Sequence, residues 1–136
     1  MFMINPFAVT PLALLAGIGT HMLLGMLWYS PLLFGKMWMR SLKRSTKDLS
    51  MHAGHLIGAA LVGFTIVLCI GHFMNALGVT TCRAAIEYAL LLWLGFIATT
   101  RFSDVIWQGK PVITYLIDTG YWAVNLSIIS CVLTKL

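Results

Sequence analysis

Two side chains stand out for the chemistry they carry and the apolar stretches they interrupt: His21 and Asp118. An imidazole and a carboxylate at matching depth form a pair able to pass protons, hold a cation or contact a polar head group. Such groups are expensive in an apolar setting, at about 2.5–3.5 kcal/mol for a central Asp in a membrane helix, so each one is a functional candidate. His21 falls about two turns before the end of its apolar stretch. Asp118 falls about two turns after Pro111, which suits a helix start. At 1.5 Å rise per residue both lie about 10–12 Å from the same boundary. His55, one turn into the second stretch, and Arg101, at the end of the third, approach from that side too.

The helical faces agree with a shared site. Gly17, His21, Gly25 and Trp28 fall on one stripe, and Asp118, Trp122 and Asn125 fall on another. Gly54, Gly58 and Thr65 make a stripe near His55. The expectation is a His21–Asp118 pair inside a cavity open to one side, with His55, Asn125 and Arg101 around it. The plainer alternative is an interhelical hydrogen bond that sets helix registry, worth about 1 kcal/mol. Glu87 is expected at the opposite end, paired with Arg83 four residues earlier, or acting as an outer gate or proton acceptor. Arg101 and Asp104 have the spacing of a local ion pair.

Several chemistries are excluded by absence of their motifs. There is no HExxH, no phosphate loop ending in GK[ST] and no GxSxG. His52 and His55 have no carboxylate or Cys beside them, so no metal site and no cofactor are expected. The three cysteines contain no CxxC. Cys69 and Cys131 lie in apolar runs and read as small hydrophobes. If a disulfide forms, Cys69 with Cys82 is the pair that could reach a common surface.

The elements that must position these groups follow from composition. Of 136 residues, 60% are hydrophobic and 10% charged. A soluble domain carries about 25% charged residues, and a chain this short cannot bury so much apolar surface in itself. The expected fold is an all-α integral membrane protein with four transmembrane helices in a single domain. Crossing about 30 Å of hydrocarbon takes about 20 apolar residues, and four spans qualify, at about 7–29, 52–76, 84–102 and 111–133. The first has no basic leader and no cleavage site after it, so it is expected to be retained as an anchor. Pro31 ends it by pushing Ser30 out of helical geometry.

Between the first two spans, at about 32–47, an interfacial amphipathic helix is expected. Leu33, Phe34, Met37, Trp38 and Leu42 can share its apolar side. Lys36, Arg40, Lys43, Arg44 and Lys47 can share the other. Trp28, Tyr29 and Trp38 read as anchors at head-group depth, and the basic residues as contacts for anionic lipid. The formal charge of +5 is thereby a membrane-loop signal. No folded polar domain presents it to nucleic acid. The first and third loops hold most of the Lys and Arg, which makes them cytoplasmic and puts both termini on the other side.

Asn5-Pro6, then Gly25-x-x-Trp28-Tyr29-Ser30-Pro31-x-x-Phe34-Gly35-Lys36-x-Trp38, then Trp93-Leu-Gly95-Phe96-x-Ala98-Thr99, resemble a family of small four-span membrane proteins, the domain-of-unknown-function family 1761. The resemblance implies the four-helix fold over nearly the whole chain. It implies no activity, and no catalytic residue carries over. From the residues, three functions remain. The first is a transporter or channel-like homo-oligomer for an ion, a proton or a small solute. The second is a protein or enzyme that binds a lipid or hydrophobic metabolite. The third is a structural or regulatory membrane protein whose polar groups set registry alone. An enzyme is the less expected outcome.

Overall fold

A computed structural model describes residues 9–45 and 52–136. The expectations for Asn5-Pro6, the start of the first span and Lys47 lie outside these residues. Four helices are long and apolar enough to cross a membrane: Pro11–Trp28, Ala53–Ala76, Cys82–Gln108 and Val112–Leu133. No strand occurs among the described residues.

Helix α1 (Pro11–Trp28) begins on Thr10, whose hydroxyl accepts from the Ala13 amide at 3.1 Å, with Pro11 where its missing N–H costs nothing. A turn leads to the short α2 (Gly35–Ser41). This corrects the interfacial helix expected over 32–47. Pro31–Phe34 form the turn instead, and Lys43 at φ 53° has already left helical geometry. Helix α3 (Ala53–Ala76) matches its expected span closely.

The third span is longer than its apolar window. It runs as α4 (Cys82–Leu92), a π-helical segment (Trp93–Ala98) and α5 (Thr99–Gln108), 27 residues in all against the expected 84–102. Hydropathy drops after Phe102, but nothing there breaks a helix until Gly109, which takes the left-handed conformation (φ 64°) that only glycine adopts easily. Arg101, expected at the end of the third span, therefore lies within the helix, which runs on to Gln108. In the π segment the Thr99 and Thr100 hydroxyls bond back to the Gly95 and Phe96 carbonyls, and Trp93 Nε1 donates to the Thr119 carbonyl at 2.7 Å. The Trp93 indole thus ties the wider turn to α6 (Val112–Leu133).

Helix α6 is the centre of the bundle, packed against α1 on one side and α4 on the other. At one end Ile70, Met74, Ala85, Ala89 and Leu126 form a tight apolar core. The alanines on α4 let it approach α6 so closely that Cys82 and Cys131 are joined as a disulfide. Both cysteine expectations are corrected. Cys131 is not a thiol filling space, and Cys69, which is free and exposed, is not the partner of Cys82. Spacing along the chain cannot give connectivity; these two residues become neighbours only when α4 lies along α6.

The disulfide closes a loop of 49 residues, which is worth about 4 kcal/mol by loop entropy in water. Apolar helices in detergent are confined even when unpacked, so a smaller share is expected here. Cys131→Ser should still lower the thermal midpoint by at least about 4 °C, the effect of about 1 kcal/mol in a chain of this size. Circular dichroism of the variant should match that of reduced, alkylated wild type. An unchanged midpoint would show that packing alone holds this end.

Candidate functional site

The site is built by the turn after α1. Phe34 N–H donates to the Trp28 carbonyl at 3.0 Å, and Gly35 N–H to the Ser30 carbonyl at 3.0 Å. Gly35 is required there, because a Cβ would run into the Tyr29 and Ser30 carbonyls. The turn directs three aromatic residues onto α6. Trp28 Nε1 donates to the Ile117 carbonyl at 3.1 Å. Tyr29 Oη and Trp38 Nε1 both donate to Asp118 Oδ1, at 2.9 and 2.8 Å. Ser41 on α2 adds a hydroxyl contact of 2.7 Å to Thr114.

Trp28, Tyr29 and Trp38, expected as head-group anchors, thus have hydrogen-bond partners within the bundle. All three are half-buried and face the bundle. An interfacial aromatic and a buried one look alike in sequence, since each has an apolar body and a polar tip that needs a partner. Here Asp118 and the Ile117 carbonyl supply the partner. Lys36, Arg40, Lys43 and Arg44 remain exposed around them.

His21 is buried at the next level up. Its Nδ1 lies 3.3 Å from Asn125 Oδ1 and 3.1 Å from Tyr121 Oη, and the Tyr121 hydroxyl donates to the His21 carbonyl at 3.2 Å. The one phenol proton serves either that carbonyl or Nδ1; when it goes to the carbonyl, Nδ1–H is the donor to both oxygens and Nε2 carries the lone pair. Trp122 stacks on the ring at a centroid distance of 5.8 Å. Gly63 of α3 presses on its other side, where a Cβ would come within 3.0 Å of the imidazole. Asn125 is fully buried, and its Nδ2 has no hydrogen-bond partner among the described residues.

His21 and Asp118 therefore do not pair directly. Their hydrogen bonds go elsewhere, and Tyr29 and Tyr121 meet nearby with ring centroids 5.5 Å apart. What the two share is a cavity. A chamber of about 300 Å³ is lined by His21, Asp118, Arg101, Tyr29, Tyr121 and Trp122. A second cavity of about 640 Å³ adjoins it through His21, Tyr29, Ala59 and Tyr121. Its walls are otherwise largely apolar, with Met22, Met26, Pro31 and Leu56, and His55 and Trp38 at its rim.

The remaining candidates divide. His55 is exposed and also caps α3, accepting the His52 amide at 3.2 Å. Arg101 faces the smaller chamber and makes a loose contact of 4.0 Å with Asp104, the ion pair its spacing suggested. Asn125 lines neither cavity but holds His21. Glu87 is exposed, bonded to Arg83 at 3.0 Å near the disulfide, and belongs to no part of the site. Tyr121 was missed in the sequence. The signal for it was its spacing, three residues after Asp118 and four before Asn125, which puts it on their face.

No curated protein and no solved structure matches the chain. The model of one family, described as "Protein of unknown function (DUF1761)", matches residues 12–134, which contain the turn, both cavities and the disulfide. The chain belongs to that family.

Proposed function

We propose that this protein is a multi-pass membrane protein that binds one amphipathic molecule, its apolar part in the larger cavity and its polar end against His21, Tyr29 and Tyr121. One observation carries the reading: a largely apolar cavity of about 640 Å³ and a chamber of about 300 Å³ that holds Asp118 and Arg101 share His21, Tyr29, Ala59 and Tyr121 in their walls. The larger volume is in the range of ligand sites, and a few converging polar groups on an apolar wall are the usual arrangement. All the walls come from one chain, so the reading needs no second copy. Passage of a solute through the single chain is less well supported, because the other end is filled by Ile70, Met74, Ala85, Ala89 and Leu126.

The orientation proposed from the basic residues gains a second support. Disulfides persist on the oxidising side of a membrane, and Cys82–Cys131 lies at the end away from Lys36, Arg40, Lys43 and Arg44. The cavities then open on the cytoplasmic half, where the exposed basic residues meet anionic lipid.

The test is extraction of the protein purified in mild detergent, followed by mass spectrometry. Wild type should carry one class of amphiphile at near-stoichiometric amount. Ala59→Phe, which places a ring in the wall that both cavities share, should carry less than about a tenth of it, the loss that about 1.4 kcal/mol produces. Equal loading of wild type and Ala59→Phe, with both folded by circular dichroism, would sink the proposal.

A further inference from the structure

The smaller chamber contains one charge of each sign; among the described residues Asp118 has no ion-pair partner and Arg101 has only a loose one. Asp118 Oδ1 takes both donors, Tyr29 and Trp38, while Oδ2 has no hydrogen bond and the carboxylate has no ion-pair partner among the described residues. Arg101 faces the same space. Its only anionic contact among the described residues is Asp104 at 4.0 Å, and Asp104 is already held by Lys110 at 3.1 Å and by Gln108. The rings of Tyr29, Tyr121 and Trp122 line the chamber beside the carboxylate.

An aromatic wall next to an unmatched carboxylate favours an organic ammonium, by cation–π attraction added to charge. A guanidinium with open donors favours a phosphate or carboxylate. A ligand of a single sign would satisfy one of these groups and be repelled by the other. A ligand carrying both signs satisfies both. We propose that the chamber binds the head group of a zwitterionic phospholipid, its ammonium against Asp118 and its phosphate against Arg101. This rests on the amphiphile reading above, with the chain of the same molecule in the larger cavity.

The test compares single-chain amphiphiles of one chain length: a lysophosphatidylcholine, a lysophosphatidylglycerol, an alkyltrimethylammonium and an uncharged alkyl maltoside. Binding is read from the intrinsic tryptophan fluorescence of the full chain. Wild type should prefer the zwitterion at least about tenfold over either singly charged ligand. Asp118→Asn keeps the acceptor for Tyr29 and Trp38, and should lose the preference over the anion while keeping that over the cation. Arg101→Gln should do the reverse. Such opposite shifts cannot arise from general loosening of the fold. Equal binding of all four amphiphiles would overturn this inference and leave the amphiphile reading standing. The same holds if both variants change selectivity in the same direction. Binding of none of the four would overturn both.

Discussion

Asp118→Ala is expected to cost about 2–4 kcal/mol of unfolding free energy, the largest loss of any single polar substitution in this protein. The carboxylate joins three separate elements, because Tyr29 follows α1, Trp38 lies on α2 and both bond the same Oδ1 on α6. A hydrogen bond to a charged acceptor contributes about 1.5–3 kcal/mol, and removing the acceptor also strands a phenol and an indole N–H away from bulk water. Asp118 is half-buried, so water that enters recovers part of this. Asp118→Asn supplies an amide oxygen in the same place and is expected to lose less than half as much. The measurement is unfolding in rising sodium dodecyl sulfate, followed by circular dichroism, with tryptophan emission to report whether Trp38 has left its site. If Ala and Asn variants unfold together, the turn is held by packing and the two hydrogen bonds are incidental.

The fold was largely readable because its signals are local. Length and hydropathy of a segment suffice to place α1, α3 and α6 within a few residues, and Thr10 and Pro11 mark a helix start by their own chemistry. What the local signals did not give was the end of the third helix and the contacts between distant residues. The third helix outran its apolar window, because hydropathy reports solvent preference and helix ends report capping, and the cap here is Gly109. The disulfide was invisible because Cys82 and Cys131 meet only in the folded bundle.

The site shows the same division. His21 and Asp118 were identifiable from the cost of placing them in apolar segments, and both line one chamber. Their partners were not, since Asp118 bonds residues 80 and 89 positions away and His21 bonds residues 100 and 104 away. The partners of the aromatic cluster were hidden for a physical reason. Trp and Tyr satisfy a polar tip equally well with a lipid head group or with a carboxylate, and only the turn geometry brings Tyr29 and Trp38 to Asp118.

That turn hangs on Gly35, and Gly35→Ala is expected to be the most damaging substitution of small size, at about 3 kcal/mol or more. Adding a methylene to a packed interior typically costs about 1–3 kcal/mol because side chains shift to make room. Here the obstacles are the Tyr29 and Ser30 carbonyls, which are backbone and cannot rotate aside. To admit a Cβ the turn must open. The Gly35–Ser30 and Phe34–Trp28 hydrogen bonds then stretch, and Trp28, Tyr29 and Trp38 lose their aim at α6 together. Ligand loading should fall with stability, since Tyr29 and Trp38 border the larger cavity. Gly58→Ala is the control, since a Cβ there meets nothing within 4 Å. It should be neutral, or stabilise by up to about 1 kcal/mol through helix propensity. Comparing both variants with wild type in the detergent titration separates a general glycine effect from a specific one. Equal stability of Gly35→Ala and Gly58→Ala would mean that the Trp28–Trp38 turn yields readily, and that its grip on Asp118 does not organise the site.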